Sequence, residues 1–298
     1  MANLEDGPAP RVVGVIGAGR VGAVLGAALR AAGHELMGVT GSSPASLDRA
    51  ATLLPGVPII DAAEVVARSE LVLVCVPDDR LPDVAAAGTW RSGQLVAHVS
   101  GRFGTGVLAP AAAAGAVPMA LHPAMTFTGT ARDLDRLPGC CFGVTAPEPA
   151  LAAVRMLVER IGARPVVIAE EDRTLYHASL AHGANHLVTL VAQARQLLSS
   201  MGVADPGRLL GPLLRAALEN SLEHGDLALT GPVARGDTGT VAAHLEVVGA
   251  RATSPDLPAT YAALARATTE RALASGRLPA DRAARLLELF DHPGTGHA

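Results

Sequence analysis

The chemically suggestive residues of this chain fall into two short runs and three single positions. The first run is Gly17-Ala18-Gly19-Arg20-Val21-Gly22, which follows an apolar stretch and opens a helical pattern. In that setting Gly17 permits a tight turn, Gly19 lets a pyrophosphate approach the backbone, and Gly22 allows close helix–strand packing. The helix start then offers free N–H groups and positive potential to the phosphates. The second run is Tyr176-His177 with His182, Asn185 and His186 on a long helical pattern. At 100° per residue, His177 and Asn185 share one face. An imidazole titrates near neutrality and passes a proton to a developing alkoxide or amine, while Asn holds a carbonyl oxygen.

The single positions are Ser100, His122 and Arg235. Ser100 and His122 sit where apolar strands end, and Arg235 is a candidate partner for a substrate carboxylate. Asp237 has two further readings, as a helix cap or as the partner of Arg235. The Gly/Pro-bearing stretch from Thr230 to Asp237 is read as a loop, either a substrate lid or an ordinary connection. His182 and His186 have the spacing of a zinc helix, but position 183 is Gly and no further ligand motif is present, so no metal is expected. The competing role for these histidines is a subunit interface.

Composition limits the chemistry. All 24 basic residues are Arg, with no lysine among 298 residues. Schiff-base and P-loop lysines are therefore excluded, as is protonation of substrate by an ammonium group. Arginine does not replace it, because its guanidinium stays charged. A net charge of −4 without a basic tract argues against nucleic acid and anionic membrane as partners. Three cysteines, two of them adjacent, suggest a reducing compartment, and a cytoplasmic location is expected. The opening MANLEDGPAP has no basic or apolar region of an export signal. The uncharged stretch from 174 to 194 is too polar for lipid.

The elements that must place these residues are legible from periodicity. Apolar runs at 11–16, 35–39, 57–60, 71–76, 94–99, 117–121, 140–145 and 165–168 alternate with Ala-rich helical stretches. That pattern predicts a mostly parallel, doubly wound α/β sheet. After Ala169 strand signals stop, and helices are expected at 170–201, 205–223, 238–250, 255–275 and 279–290, with 292–298 a frayed tail. Domains are therefore expected at 1–169, binding a dinucleotide, and 170–298, all-α, for substrate and dimerisation. A site for NAD wants an acid at the end of the second strand. Here Thr40, Ser42 and Ser43 stand there, with no acid before Asp48. These residues accommodate a 2′-phosphate with Arg20 or Arg49 as counter-charge, and NADP(H) is favoured over NAD(H). Val76 and Pro77, ending another strand, are placed beside the nicotinamide.

Taken in order, GAGRVG, VPDD, HVSG, LHPAMTF, LYHASLAHGANHL and LTGPVARGD resemble the largely uncharacterised Rossmann-like oxidoreductases with a C-terminal domain of unknown function. The likeness runs from Val12 to residue 275. It implies a Rossmann domain joined to a helical domain of the phosphogluconate dehydrogenase type, and a homodimer formed through the helical half. Pyrroline-carboxylate reductase, ketopantoate reductase, prephenate dehydrogenase and deazaflavin-dependent NADP oxidoreductases are more distant relatives. In the hydroxyacid and ketopantoate branches a helix lysine followed by Asn acts on the substrate oxygen. Here that helix carries His177 and Asn185. The expectation is an NADP(H)-dependent oxidoreductase acting on a small anionic oxo acid, hydroxy acid or imine. His177 is its acid/base, Asn185, Ser100 and His122 assist, and Arg235, Tyr176 and His182 bind substrate. The alternatives are a nucleotide sensor that has lost catalysis, and hydride exchange between NADP and a deazaflavin.

Overall fold

The computed structural model of the chain describes residues 11–291. The MANLEDGPAP segment and the tail at 292–298 lie outside the described residues. Contacts divide the chain into two compact units, Met1–Gly183 and Ala184–Ala298.

The first unit alternates strands and helices as its apolar periodicity requires. In chain order they are β1 (Val12–Ile16), α1 (Arg20–Ala31), β2 (Glu35–Val39), α2 (Pro44–Leu53), α3 (Ala62–Arg68), β3 (Leu71–Val74), α4 (Leu81–Ala87) and β4 (Leu95–His98). There follow α5 (Ala109–Ala113), β5 (Val117–Pro123), α6 (Arg132–Arg136), β6 (Cys141–Thr145), α7 (Leu151–Arg160), β7 (Arg164–Val167) and α8 (Arg173–Leu180). The sheet order is β2-β1-β3-β4-β5-β6-β7. All pairs are parallel except β5 with β6. Both faces are covered, and alternate residues of one strand show it. Leu71 and Leu73 join the cluster that contains Val24, Leu29 and Val158 of α1 and α7. Val72 and Val74 join Val65, Leu81 and Ala85 of α3 and α4 on the opposite face. Period-two alternation with both sides apolar produces continuous hydrophobic strands.

One sequence expectation needs correction here, and one strand departs from the parallel majority. The run at 57–60 forms only a single bridge, Val39↔Ile59. Pro58 has no N–H to give a ladder, so the segment lies beside the β2 edge through Val39 N–H to Pro58 O and Ile60 N–H to Val39 O. The 140–145 run is a strand, but β6 runs against β5 because the short α6 connection supplies no crossover helix of the βαβ kind.

The helix begun by α8 continues through a π-helical turn at Ala181–Asn185, and the division between the units falls inside it. The break in strand signals comes earlier, at Ala169, because α8 packs on the sheet: Arg173, its first residue, is buried to 1% exposure. The second unit holds α9 (His186–Ser200), α10 (Pro206–His224), α11 (Gly231–Arg235), α12 (Thr238–Arg251), α13 (Asp256–Ala274) and α14 (Ala280–Asp291). Val241, Ala265, Ala272, Leu278, Leu286 and Phe290 form its core. Among the described residues no helix is long and apolar enough to cross a membrane.

Candidate active site

At the carboxyl edge of β1 the glycine run forms the expected cradle. Gly17 has φ +104°, a backbone state that an L side chain resists. A Cβ at Gly22 would lie 2.0 Å from Gly17 O, whereas space is open above Gly19. The turn is fastened by Thr40, whose Oγ1 accepts from Gly17 N at 2.8 Å, and by Ala18 N donating to Thr40 O at 2.8 Å. Gly17, Gly19, Thr40, Ser42, Ser43, Val76 and Pro77 all border one cleft of about 280 Å³. It lies between the ends of β1 and β3, where the strand order reverses, the usual ligand crevice of open α/β sheets. The open backbone at Gly19, where α1 begins, leaves the room that a dinucleotide would need here. Ser43 caps α2 by accepting from Ser46 N, so its hydroxyl is partly committed to the fold.

A second wall stands nearby. Asp133, fully buried, accepts from Thr128 N, Thr128 Oγ1 and Gly129 N at 2.7–2.9 Å. Burial alone raises its pKa, but the bonds from Gly129 and Thr128 outweigh it and hold the carboxylate below its ordinary range. The turn so fixed packs on two arginines: a Cβ at Gly129 would lie 2.8 Å from Arg49 Nε and 3.0 Å from Arg20 Cγ. Arg20 opens α1 and Arg49 lies in α2, the helices whose first turns border the cleft.

Along the same edge, β5 and α8 bring His122, Tyr176 and His177 together. His122 Nδ1 and the Tyr176 hydroxyl are hydrogen-bonded at 2.9 Å. The rings of His122 and His177 meet edge to face, 6.1 Å between centroids and 84° between planes. Both line the space above Gly101, where a Cβ would stand 2.7 Å from His177 Cδ2 and 3.0 Å from His122 Nε2. Burial, with the nearby charges of His177 and Arg173, pushes His122 down to about 4.

Below this cluster His98, fully buried, is also pushed down to about 4, chiefly by burial. Its Nε2 bonds Gly104 O at 2.9 Å and its Nδ1 accepts from Ser100 N at 3.2 Å. Ser100 Oγ accepts from the Arg102 and Phe103 amides at 3.3 Å; its visible work is to shape the turn carrying Gly101. Glu170 accepts from Thr105 N, Thr105 Oγ1 and Gly106 N, tying the start of α8 to the loop after β4.

His182 is exposed on the π-helical turn, and Asn185 and Arg235 are exposed residues of the second unit. The π-helical turn holds more residues per turn than 3.6, so the 100° step used to align His177 with Asn185 does not carry across 181–185. The expected loop at Thr230–Asp237 is largely helical. Gly231 and Pro232 start α11, a position that suits proline, and Gly236 ends it at φ +73°. Asp237 caps α12 by accepting from Thr240 N at 3.0 Å. Among the described residues no three His, Cys, Asp or Glu side chains gather to hold a metal.

Sequence reasoning missed Arg173, Gly101, Gly143 and Asp133. Arg173 was findable: it precedes Tyr176 and His177 by three and four residues, which puts it on their helix face.

Residues 3–123 match the Rossmann-like domain family, and residues 140–268 match a family described as a domain of unknown function (DUF2520). The chain thus joins a segment similar to Rossmann-like domains to a segment similar to that second family. Among curated proteins none matches it. Solved structures share its fold. A Bacteroides fragilis protein described as a candidate NADP oxidoreductase is 22% identical, with 88% of this chain and 98% of that chain covered and a TM-score of 0.71. A reductive aminase of Aspergillus terreus, in complex with NADPH and ethyl levulinate, is 18% identical over 94% and 99%, TM-score 0.65. An imine reductase of Myxococcus stipitatus, in complex with NADP+, is 15% identical over 93% and 99%, TM-score 0.64.

Proposed function

We propose that the chain is an NADP(H)-dependent oxidoreductase acting on a small anionic oxo acid, hydroxy acid or imine. The observation that carries this reading is the coincidence, on one carboxyl edge of one sheet, of an open glycine cradle after β1 and the His122–Tyr176–His177 cluster beyond β4 and β5. The similar structures bound to NADPH and NADP+ support the choice of cofactor. So do Thr40, Ser42 and the arginine pair Arg20 and Arg49 at the place where an acid would select NAD.

NADPH, when bound, supplies a hydride to the carbon of a C=O or C=N group. His177 gives its proton to the oxygen or nitrogen that receives the electron pair, and takes it back in the reverse direction. The α1 amides hold the pyrophosphate, and Val76 and Pro77 flank the nicotinamide. No lysine is present to compete for the proton-transfer role.

The helical unit supports a homodimer. On α10, Leu209, Leu213, Leu218 and Leu222 are exposed, the last to 80%, and on α9 Val188 is exposed to 71%. Exposed apolar side chains in this number mark association sites, and a second copy of the chain is their proposed cover.

Consumption of NADPH against a panel of oxo acids and cyclic imines tests the reaction. Turnover of at least one member is expected. NADPH binding without turnover of any would favour a nucleotide sensor, the reading that the missing lysine also suggests.

A further inference from the structure

Under the two imidazoles lies a cation that the reading above leaves unused. Arg173 donates from Nε to Thr145 Oγ1 at 2.8 Å, and from Nη2 to Ala120 O at 2.9 Å and Gly143 O at 3.3 Å. These acceptors lie on β5 and β6, across the antiparallel seam in which Ala120 faces Thr145 and His122 faces Gly143. Its Nη1 is buried without a hydrogen-bond partner. Glu170, which its charge also reaches, is occupied by Thr105 and Gly106. A buried cation without a contacting carboxylate is costly, and a neutral side chain of the same length would fill the space without that cost. What the charge does to its neighbours is therefore the question.

Its guanidinium carbon is 5.9 Å from the centre of the Tyr176 ring. The phenol oxygen lies against Gly143, where a Cβ would stand 2.6 Å away. Burial raises the Tyr176 pKa, while the Arg173 charge and the Gly143 amide pull the other way. Positive potential and a donor amide on the oxygen leave the phenol's own hydrogen to make the bond to His122 Nδ1. Around His122 stand Arg173, Tyr176 and His177 from α8, His98 from β4 and Asp78 from the loop after β3. Burial and the cations among these outweigh Asp78, so the imidazole is neutral at pH 7. A neutral imidazole that accepts at Nδ1 carries its hydrogen on Nε2. Nε2 is the atom that lies against Gly101, 3.0 Å from where a Cβ on that residue would stand.

We propose that Arg173 and Tyr176 are positioning residues that fix His122 as the Nε2–H tautomer, and that this N–H hydrogen-bonds the carbonyl oxygen or imine nitrogen of the substrate. The hydrogen stays on the ring: His122 polarises the acceptor as negative charge grows on it, and the proton itself comes from elsewhere. Only the identity of the acceptor rests on the oxidoreductase reading; the tautomer does not.

The test is a long-range proton–nitrogen correlation spectrum of the full chain with labelled histidine, recorded without nucleotide. His122 is expected to show a protonated Nε2 and a bare Nδ1 at pH 7. Tyr176→Phe and Arg173→Met should each raise the Nδ1–H form, and Arg173→Met should move the His122 titration upward by roughly one unit. Arg173→Lys should restore most of that shift. In a turnover assay Tyr176→Phe should lower kcat more than it raises KM. A protonated Nδ1 in the natural protein, or a tautomer unmoved in Tyr176→Phe, overturns the proposal; if Arg173→Met does not fold, Tyr176→Phe decides alone. The expected spectrum without turnover of any substrate would remove the oxidoreductase reading and leave the tautomer. The opposite spectrum with turnover would do the reverse.

Discussion

Two imidazoles facing a glycine give the site its most sensitive contacts. His177→Ala removes the proposed proton donor and touches none of the cleft at β1. Turnover should fall by on the order of 10²-fold or more, with NADPH affinity retained, as steady-state kinetics beside a binding titration would show; unchanged turnover removes His177 from the chemistry. Gly101→Ala keeps both histidines but places a methyl 2.7 Å from His177 Cδ2 and 3.0 Å from His122 Nε2. Displacing aligned groups by a fraction of an ångström costs on the order of tenfold or more, so a normal kcat in Gly101→Ala would show that the reacting atoms lie elsewhere. The histidines and Tyr176 were legible in the sequence because their chemistry is intrinsic to the side chain. Gly101 and Gly143 were not, because their contribution is the absence of a Cβ beside partners far away in sequence. Ser100 was legible as a polar residue at a strand end, but its observed bonds serve the turn.

Elements place these residues, and the β1–α1 turn is the one with least tolerance. Gly22→Ala puts a Cβ 2.0 Å from Gly17 O, a clash with backbone. It should destabilise the protein by about 1–3 kcal/mol and weaken NADPH binding. Gly26→Ala, four residues on in the same helix, meets its nearest atom at 3.4 Å and is expected to change stability by less than about 1 kcal/mol. Denaturant midpoints of the two variants give the comparison, and equal midpoints would contradict the cradle as described. Periodicity revealed the parallel strands and most helices because continuous apolar runs and 3.6-residue stripes are local signals. It did not reveal the antiparallel β6, since direction depends on the connection. It also missed the π-helical turn at Ala181–Asn185, whose composition is that of an ordinary helix. Gly231-Pro232, read as a loop, is a helix start because proline suits a first turn.

For the molecule as a whole, burial of neutral imidazoles predicts acid sensitivity. Burial, as the chief cause, pushes His98 and His122 down to about 4 in the folded chain, from about 6.5 for an ordinary imidazole. The unfolded chain therefore binds more protons between these values, and the stabilisation is full above about 6.5 and lost as pH falls towards 4. His98, fully buried, accounts for roughly 3 kcal/mol of that change. Urea midpoints from pH 7.5 to 4.5 should fall steeply, and less steeply in His98→Gln; parallel curves would contradict this account. The exposed leucines of α10 predict a dimer that Leu213→Glu together with Leu222→Glu converts to monomer, measurable by sedimentation. A natural protein that sediments as a monomer removes the second copy as their cover. The central claim is that the glycine cradle, flanked by Thr40, Ser42, Arg20 and Arg49, holds NADP(H). Its most direct test is a fluorescence titration of the protein with NADPH and, separately, with NADH. Saturable NADPH binding in the micromolar range, with NADH about tenfold or more weaker, is the result expected. No binding of either nucleotide at high micromolar concentration would contradict the claim.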